Sequence, residues 1–168
     1  LEDLDPEPYD LVLAAACLHW TDASQRWDRV AGLLGEGGTF ASFGGPVVIA
    51  DPDLDRAVER ARAPWVADDH VESPDGTAPG APLAWPGTEL VRDPRFADVR
   101  QVVIERRTLL PADALIAHQA TVSAYLQLPA AERDAALAAV RAVLPERVEI
   151  IADLTLHLAR RVRGVVRR

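Results

Sequence analysis

One cysteine and four histidines carry most of the nucleophilic and proton-transfer chemistry open to this chain, and only Cys17 and His19 stand close together, in the segment YDLVLAAACLHWTD at residues 9–22. A thiol two residues from an imidazole suggests a nucleophile and its base, but such a pair needs a third group to orient the ring, and none is evident. His19, His70, His118 and His157 are scattered without the spacing of metal ligands, so no metal site is expected. His19 alone is a candidate general base because imidazole titrates near neutrality, and a packing or hydrogen-bonding role is equally open to it. The three small residues Ala14, Ala15 and Ala16 would let backbone approach a bound molecule closely, while Leu18 and Trp20 offer an apolar wall. His118, Thr121 and Tyr125 fall at i, i+3 and i+7 of an expected helix and so share a face, either a polar rim that orients a substrate or a solvated stripe. Trp65 and Trp85 sit in a Pro-rich stretch, as lid anchors or as aromatic plugs beneath a loop.

These residues need elements to hold them. YDLVLAAA at residues 9–16 is a continuous apolar run, which suits a parallel strand covered on both faces. Thr21 or Asp22 can cap a following helix whose buried stripe is Trp27, Val30, Leu33 and Leu34. Gly35 stops that helix, Gly37 and Gly38 make a turn, and residues 39–43 read as a second strand, completing a βαβ unit. Asp51-Pro52 opens a helix to about residue 63. Six prolines and three glycines between residues 64 and 94 leave room only for a short helix near residues 88–92; a loop of this length is a lid, a binding loop or a disordered segment. Residues 99–107 read as a third strand, and 112–128 and 131–144 as helices with Leu115, Val122 and Leu126 on one side and Leu137, Val140 and Leu144 on the other. Residues 148–158 alternate as a half-covered strand, with Val148, Ile150, Ala152, Leu154, Leu156 and Leu158 on one side and Glu149, Asp153, Thr155 and His157 on the other, Ile151 excepted.

At 168 residues, with 49% hydrophobic and 26% charged residues, the chain has one domain's worth of an ordinary globular composition. No apolar run reaches the roughly 20 residues of a membrane span, and no signal peptide stands at the start. A net charge of −8 argues against a nucleic-acid partner. A single cysteine excludes an internal disulfide framework and makes a reducing cytoplasm the default. All 18 basic residues are arginine, which with the abundance of Ala and Val reads as the codon bias of a GC-rich bacterial genome. The arginines at 160, 161, 163, 167 and 168 form either a solvated end or a phosphate-binding tail. The chain starts without Met and holds none, so a fragment, a processed product or a truncated reading frame is expected.

Several of these segments, in order, resemble the later half of the small-molecule class I S-adenosylmethionine (SAM)-dependent methyltransferases, the group of the ubiquinone/menaquinone and trans-aconitate methyltransferases. Leu1-Glu2-Asp3-Leu4 is similar to the family's AEDLP turn, Tyr9-Asp10-Leu11-Val12 to its FDLV strand opening, and Leu18-His19-Trp20 to its FHW segment. Leu34-Gly35-Glu36-Gly37-Gly38 is similar to its LRPGG turn, with Glu36 in place of Pro. Thr121-Val122-Ser123-Ala124-Tyr125, followed by Leu128-Pro129 and Glu132-Arg133, resembles a helical insertion of the group, and residues 148–161 resemble its last strand. The resemblance implies an α/β fold: the fourth to seventh strands of a Rossmann-like sheet, the last antiparallel, with a helical insertion. Its parts would be a strand-helix-strand-helix core at 1–63, a Pro-rich loop or lid at 64–97, and a strand, insertion (112–144) and last strand (148–158) within 98–168.

The resemblance further implies SAM as cofactor, with Ala14, Ala15, Ala16, Leu18 and Trp20 against it, His19 as the catalytic candidate and His118, Thr121 and Tyr125 against a small-molecule acceptor. No Gly-rich strand-to-helix turn occurs in the sequence, so the expected activity, methyl transfer from SAM, belongs to a full-length parent. The alternative is a non-catalytic remnant or a partner-binding fragment. A hydrolase reading would need a G-x-S-x-G elbow, which is absent. Residues 9–14 would form an apolar sheet edge with unpaired backbone groups, so poor solubility or a second chain covering that edge is expected.

Overall fold

The computed structural model describes residues 8–66, 73–78 and 80–162. The motif at residues 1–4, His70, and the arginines at 163, 167 and 168 lie outside them. In chain order the elements are β1 (Tyr9–Ala15), a 3-10 turn (Leu18–Trp20), α1 (Arg26–Leu33), β2 (Leu34–Gly44), β3 (Val48–Ile49), α2 (Pro52–Arg62) and α3 (Gly87–Leu90). There follow β4 (Phe96–Ile104), β5 (Arg107–Pro111), α4 (Ala112–Gln119), α5 (Ser123–Leu126), α6 (Ala130–Val143), β6 (Arg147–Ile151) and β7 (Leu154–Arg161). They fall into two compact units. One comprises Leu1–Gly45, Glu72–Ile104 and Leu154–Arg168, the other Pro46–Val71 and Glu105–Asp153. The expected grouping of α2 with the first strands therefore does not hold: α2 packs in the second unit. The Pro-rich stretch is likewise divided between the two.

The first unit is built on a four-stranded sheet in the order β1-β2-β7-β4. β1 runs parallel to β2, and β7 lies antiparallel to both of its neighbours. One face of the sheet is apolar and covered: Val12 and Ala14 of β1, Phe40 of β2, Ala159 of β7 and Phe96 of β4 pack with Trp27, Val30 and Ala31 of α1 and Leu90 of α3. The expected stripe on α1 is present, but the helix begins later than the sequence suggests. Asp22 closes a turn, accepting from the N–H and Oγ of Ser24, and Gln25 takes the N-cap without a side-chain hydrogen bond.

Two strand expectations are corrected. β1 is covered on one face only, since Leu11 is 51% and Leu13 59% exposed. The glycine run is no separate turn but part of β2, which α1 enters directly: Leu34 is extended at the helix C-cap. The pairing jumps from Tyr9↔Leu34 to Leu11↔Thr39, so the glycines bulge out of the ladder. Gly37 takes φ +79°, and a Cβ on Gly38 would lie 2.9 Å from the Gly35 carbonyl oxygen and 3.0 Å from that of Tyr9.

The second unit holds an antiparallel sheet in the order β3-β6-β5. Val148 and Ile150 of β6 and Ile49 of β3 pack with Val58 of α2, Leu115 of α4 and Val140 of α6. Asp51 caps α2 as expected, accepting from the N–H groups of Asp53 and Leu54, with Pro52 in the first turn. The helix expected over residues 112–128 is two helices. Thr121 turns its Oγ back on the His118 carbonyl (2.7 Å), and Val122 is extended, so α4 stops at Gln119 and α5 restarts at Ser123.

The strands expected at 99–107 and 148–158 are each divided as well, and β4 and β7 lie in one sheet while β5 and β6 lie in the other. The breaks at residues 105–106 and 152–153 are tied together: the Ala152 N–H donates to the Arg106 carbonyl (2.8 Å) and the Arg106 N–H to Asp153 Oδ1 (2.8 Å). In β7, His157 and Ala159 are buried on the helix-covered face, and Leu154, Leu156 and Leu158 occupy the other side.

Gly38→Ala should cost about 1–3 kcal/mol, because the atoms in its way are backbone oxygens that cannot swing aside. Gly32→Ala in α1, where nothing lies within 4 Å of the new Cβ, should instead stabilise by about 0.5–1 kcal/mol. Urea unfolding of the two variants beside the parent chain measures both signs.

Candidate functional site

The carboxyl end of β1 turns sharply out of the sheet. Ala16 adopts φ +48°, a left-handed conformation that costs about 1–2 kcal/mol in a residue other than glycine, and its N–H is held by the Phe43 carbonyl at 2.8 Å. The chain then winds into the 3-10 turn, closed by the N–H (3.1 Å) and Oγ (2.6 Å) of Thr21, both donating to the Leu18 carbonyl. Leu18 drops into the core and Trp20 stands 72% exposed.

What fixes this turn to α1 is Arg26. Its guanidinium is buried, with Nε donating to Thr21 Oγ (2.8 Å), one terminal nitrogen to the Thr21 carbonyl (3.1 Å) and the other paired with Glu89 (3.4 Å). Its Cζ lies 5.0 Å from the centre of the Trp85 ring. Glu89 also accepts from the indole N–H of Trp27 at 2.8 Å. The Trp85 N–H is buried with no acceptor among the described residues, so its ring is held by its face and its packing rather than by a hydrogen bond. Arg26 was not singled out from the sequence. The available signal is its place four residues before Val30, on the face of α1 that also buries Ala31.

A cleft of about 400 Å³ opens between β1, the turn and α1. Val12, Leu13, Ala14, Leu18, Val30 and Phe40 give it an apolar lining, with Trp20, Cys17, Thr21, Asp22, Arg26 and Arg29 completing the wall. Of the residues expected against a cofactor, Ala14, Leu18 and Trp20 line this cleft. Ala15 and Ala16 are exposed beyond its lining, as is His19, whose ring sits 5.1 Å from that of Trp20. Asp22 is held below the usual carboxylate range by the side-chain and backbone hydrogen bonds from Ser24. Cys17 is exposed and free.

Level with Ala14, a row of side chains crosses the covered face of the sheet through Ser42 and His157 to Gln101. His157 Nε2 and Gln101 Oε1 are 2.9 Å apart, and the same oxygen accepts from the Ala84 N–H at 2.7 Å. Burial lowers the His157 pKa, a hydrogen bond with the Ala84 backbone opposing the shift only in part.

His118, Thr121 and Tyr125, expected on one helical face, are separated by the break between α4 and α5. His118 and Thr121 are exposed, whereas Tyr125 is 1% exposed in a core with Val66 and Ala136. Trp65 packs against that same core and Trp85 against the core of the first unit, each as a plug beneath loop chain. A second, open groove over Trp27, Glu89 and Arg95 offers little chemistry, because Glu89 is tied to Arg26 and Arg95 to Asp93 and Asp28. Among the described residues no group of three or more His, Cys, Asp or Glu side chains is arranged to hold a metal ion. Among them, too, no helix is long and apolar enough to cross a membrane.

No protein-family model matches the sequence, and no curated protein matches it. Solved structures do. One described as a type II methyltransferase from Anaeromyxobacter dehalogenans superposes with a TM-score of 0.55 at 22% identity, over 96% of this chain and 68% of the other. The YcgJ protein from Bacillus subtilis aligns over the same shares at 14% identity, with a TM-score of 0.45. The first likeness shows a shared α/β fold.

Two measurements probe the supports of the cleft. Arg26→Ala should destabilise by about 2–4 kcal/mol and Thr21→Val by about 1–3 kcal/mol, since the latter leaves a buried guanidinium donor unmet. His157 has a folded pKa below its unfolded value of 6.5, so its contribution to stability is full above pH 6.5 and is lost as pH falls from there toward the folded pKa. Thermal midpoints should therefore fall over that window in the parent chain and fall less in His157→Gln, which keeps a donor for Gln101 but does not titrate.

Proposed function

We propose that the chain takes part in methyl transfer from SAM to a small-molecule acceptor, with the cleft beside β1 as one wall of the site. The observation that carries this reading is one of position. Ala14, Leu18 and Trp20 line a single cleft at the carboxyl end of a parallel strand, which is where open α/β sheets hold their ligands. The fold of the sheet agrees with it.

The residues present fit one side of the cofactor. The cleft falls within the roughly 300–1,000 Å³ of small-molecule pockets, and its lining is apolar apart from the rim of Thr21, Asp22, Arg26 and Arg29. When bound, SAM supplies an electrophilic methyl carbon on a sulfonium. Displacement at such a carbon needs alignment and a dry site more than covalent help. Ala14, with no side chain beyond Cβ, leaves room for the ligand. Leu18 and Trp20 shut out water, and Arg26 keeps the turn that carries them in place. Where the acceptor is a hydroxyl, His19 on that turn is the residue we assign to take its proton. A reducing, cytoplasmic setting suits the free thiol of Cys17.

Isothermal calorimetry with S-adenosylhomocysteine tests the reading. Saturable, stoichiometric heat is expected from the parent chain, with affinity reduced at least tenfold in Ala14→Leu, which puts a larger side chain into the cleft wall. Absence of binding by the parent chain, or equal binding by both, would overturn it.

A further inference from the structure

The segment at residues 83–90 lies over His157 on the covered face of the first unit's sheet. His157 is 3% exposed, and a Cβ on Gly87 would fall 2.9 Å from its ring, so the segment closes over the imidazole on that side. Among the described residues the backbone hydrogen bonds of the segment are all local, and none joins it to a strand. Side chains tie it down instead. The Ala84 N–H donates to Gln101 Oε1 (2.7 Å), the atom that His157 Nε2 also meets (2.9 Å). Thr88 Oγ donates to Asp75, and Glu89 holds Arg26 and the Trp27 indole. The buried Trp85 N–H has no acceptor among the described residues, and water would supply one if the segment lifted.

We infer that this segment is an acid-released latch: when His157 takes a proton the segment lifts from the sheet, and the turn that shapes the cleft loosens with it. The cleft responds whatever occupies it, so the latch does not depend on the proposed methyl transfer. An imidazolium at this place has no counter-charge. The groups facing His157 are Ser42 from β2, Gln101 from β4, and Leu83, Ala84 and Gly87 from the segment, none of them charged. The charged groups around these are engaged elsewhere: Glu89 with Arg26, Asp75 with Thr88, and Arg161, further along β7, with the Ala31 carbonyl. A buried charge without a partner draws in water where the structure opens most easily, which is the segment held by side chains rather than the strand ladders beside it. Lifting it withdraws Glu89 and the Trp85 ring from Arg26 and leaves that guanidinium only Thr21, on the turn of Leu18 and Trp20. His157 is the group that responds in mild acid, since burial lowers its pKa from 6.5 and only a backbone hydrogen bond opposes the shift. Burial raises the pKa of Asp75, but hydrogen bonds from Thr77, Thr88 and Ser73 hold it well below the usual carboxylate range, so its charge does not change there.

Amide hydrogen exchange of the whole chain, expressed as protection factors so that the intrinsic pH dependence of exchange cancels, tests the latch. The amides to follow are Ala84, Leu90 and Val91 at the segment and Trp20 and Thr21 at the turn, each a hydrogen-bond donor. From about pH 7.5 to about pH 5 their protection should fall together by about tenfold, as linkage to a histidine with a lowered folded pKa requires. Protection in the β2–β7 ladder should hold. His157→Gln, which keeps a donor for Gln101, should remove the acid response at all of these amides. Glu89→Ala should leave the segment acid-sensitive while the turn, already loosened at neutral pH, no longer follows it. In the parent chain the His157 ring, followed by NMR, should titrate below pH 6.5, a readout that stands even where His157→Gln fails to fold. The latch is overturned by a segment that keeps its protection in acid, by a ladder that loosens along with it, or by a turn that stays closed in the parent chain while the segment opens. An acid response that survives in His157→Gln, or a His157 ring that titrates at 6.5 or above, overturns it equally.

Discussion

A guanidinium taken out of water is tolerable only when its donors find acceptors, the uncompensated penalty being several kcal/mol. Arg26 meets that demand by drawing three stretches of chain together: the turn after β1 through Thr21, the start of α1 that carries it, and the segment around Trp85 and Glu89 some 63 residues further on. The charge therefore acts as a geometric constraint. The turn bearing Leu18 and Trp20 sits where the hydrogen bonds of Arg26 allow, and the cleft takes its shape from that. Glu89 spreads the constraint by holding the Trp27 indole, whose ring meets Phe40 and Phe96 edge-on in the core.

The covered face of the sheet carries a polar row within its apolar core. Helices cover the face that carries Ser42, His157 and Gln101, and this works because the polar atoms of His157 and Gln101 answer one another and the Ala84 backbone. Gly87 allows α3 close enough to seal the network, since a Cβ there would fall 2.9 Å from the His157 ring and 2.5 Å from Leu83. A neutral imidazole suits such a place, and the lowered pKa of His157 reflects the same burial.

Much of this was legible in the residues. The apolar run at 9–16, the Asp51-Pro52 helix start and the stripe on α6 are local signals, and local structure followed them. Ala14, Leu18 and Trp20 were legible as neighbours because the end of β1 leads straight into the turn that carries the two bulky apolar residues, and all three line one cleft. The divisions of the long strands were not. Apart from Ile151 the alternation runs on through Ala152 and Asp153, and a period of two cannot register that the strand has changed partners. Tyr125 was misplaced because helical spacing was projected across Thr121 and Val122, where a side-chain bond to the His118 carbonyl stops the helix. Arg26 escaped notice because patterning treats a charge as solvent-facing, and its burial depends on Glu89, far away in sequence.

The direct passage from α1 into β2 leaves the crossover with no slack. Leu34 ends the helix and begins the strand, and the only loose material is the glycine bulge that follows. One residue added or removed between Gly38 and Phe40 would rotate the strand by half a period. That would send Phe40 out to the bare side and bring Ala41 and Phe43 in among the helices. Length variation in this unit is thus confined to its loops, and the spacing from Val30 to Phe40 is as much a part of the fold's specification as the residues themselves.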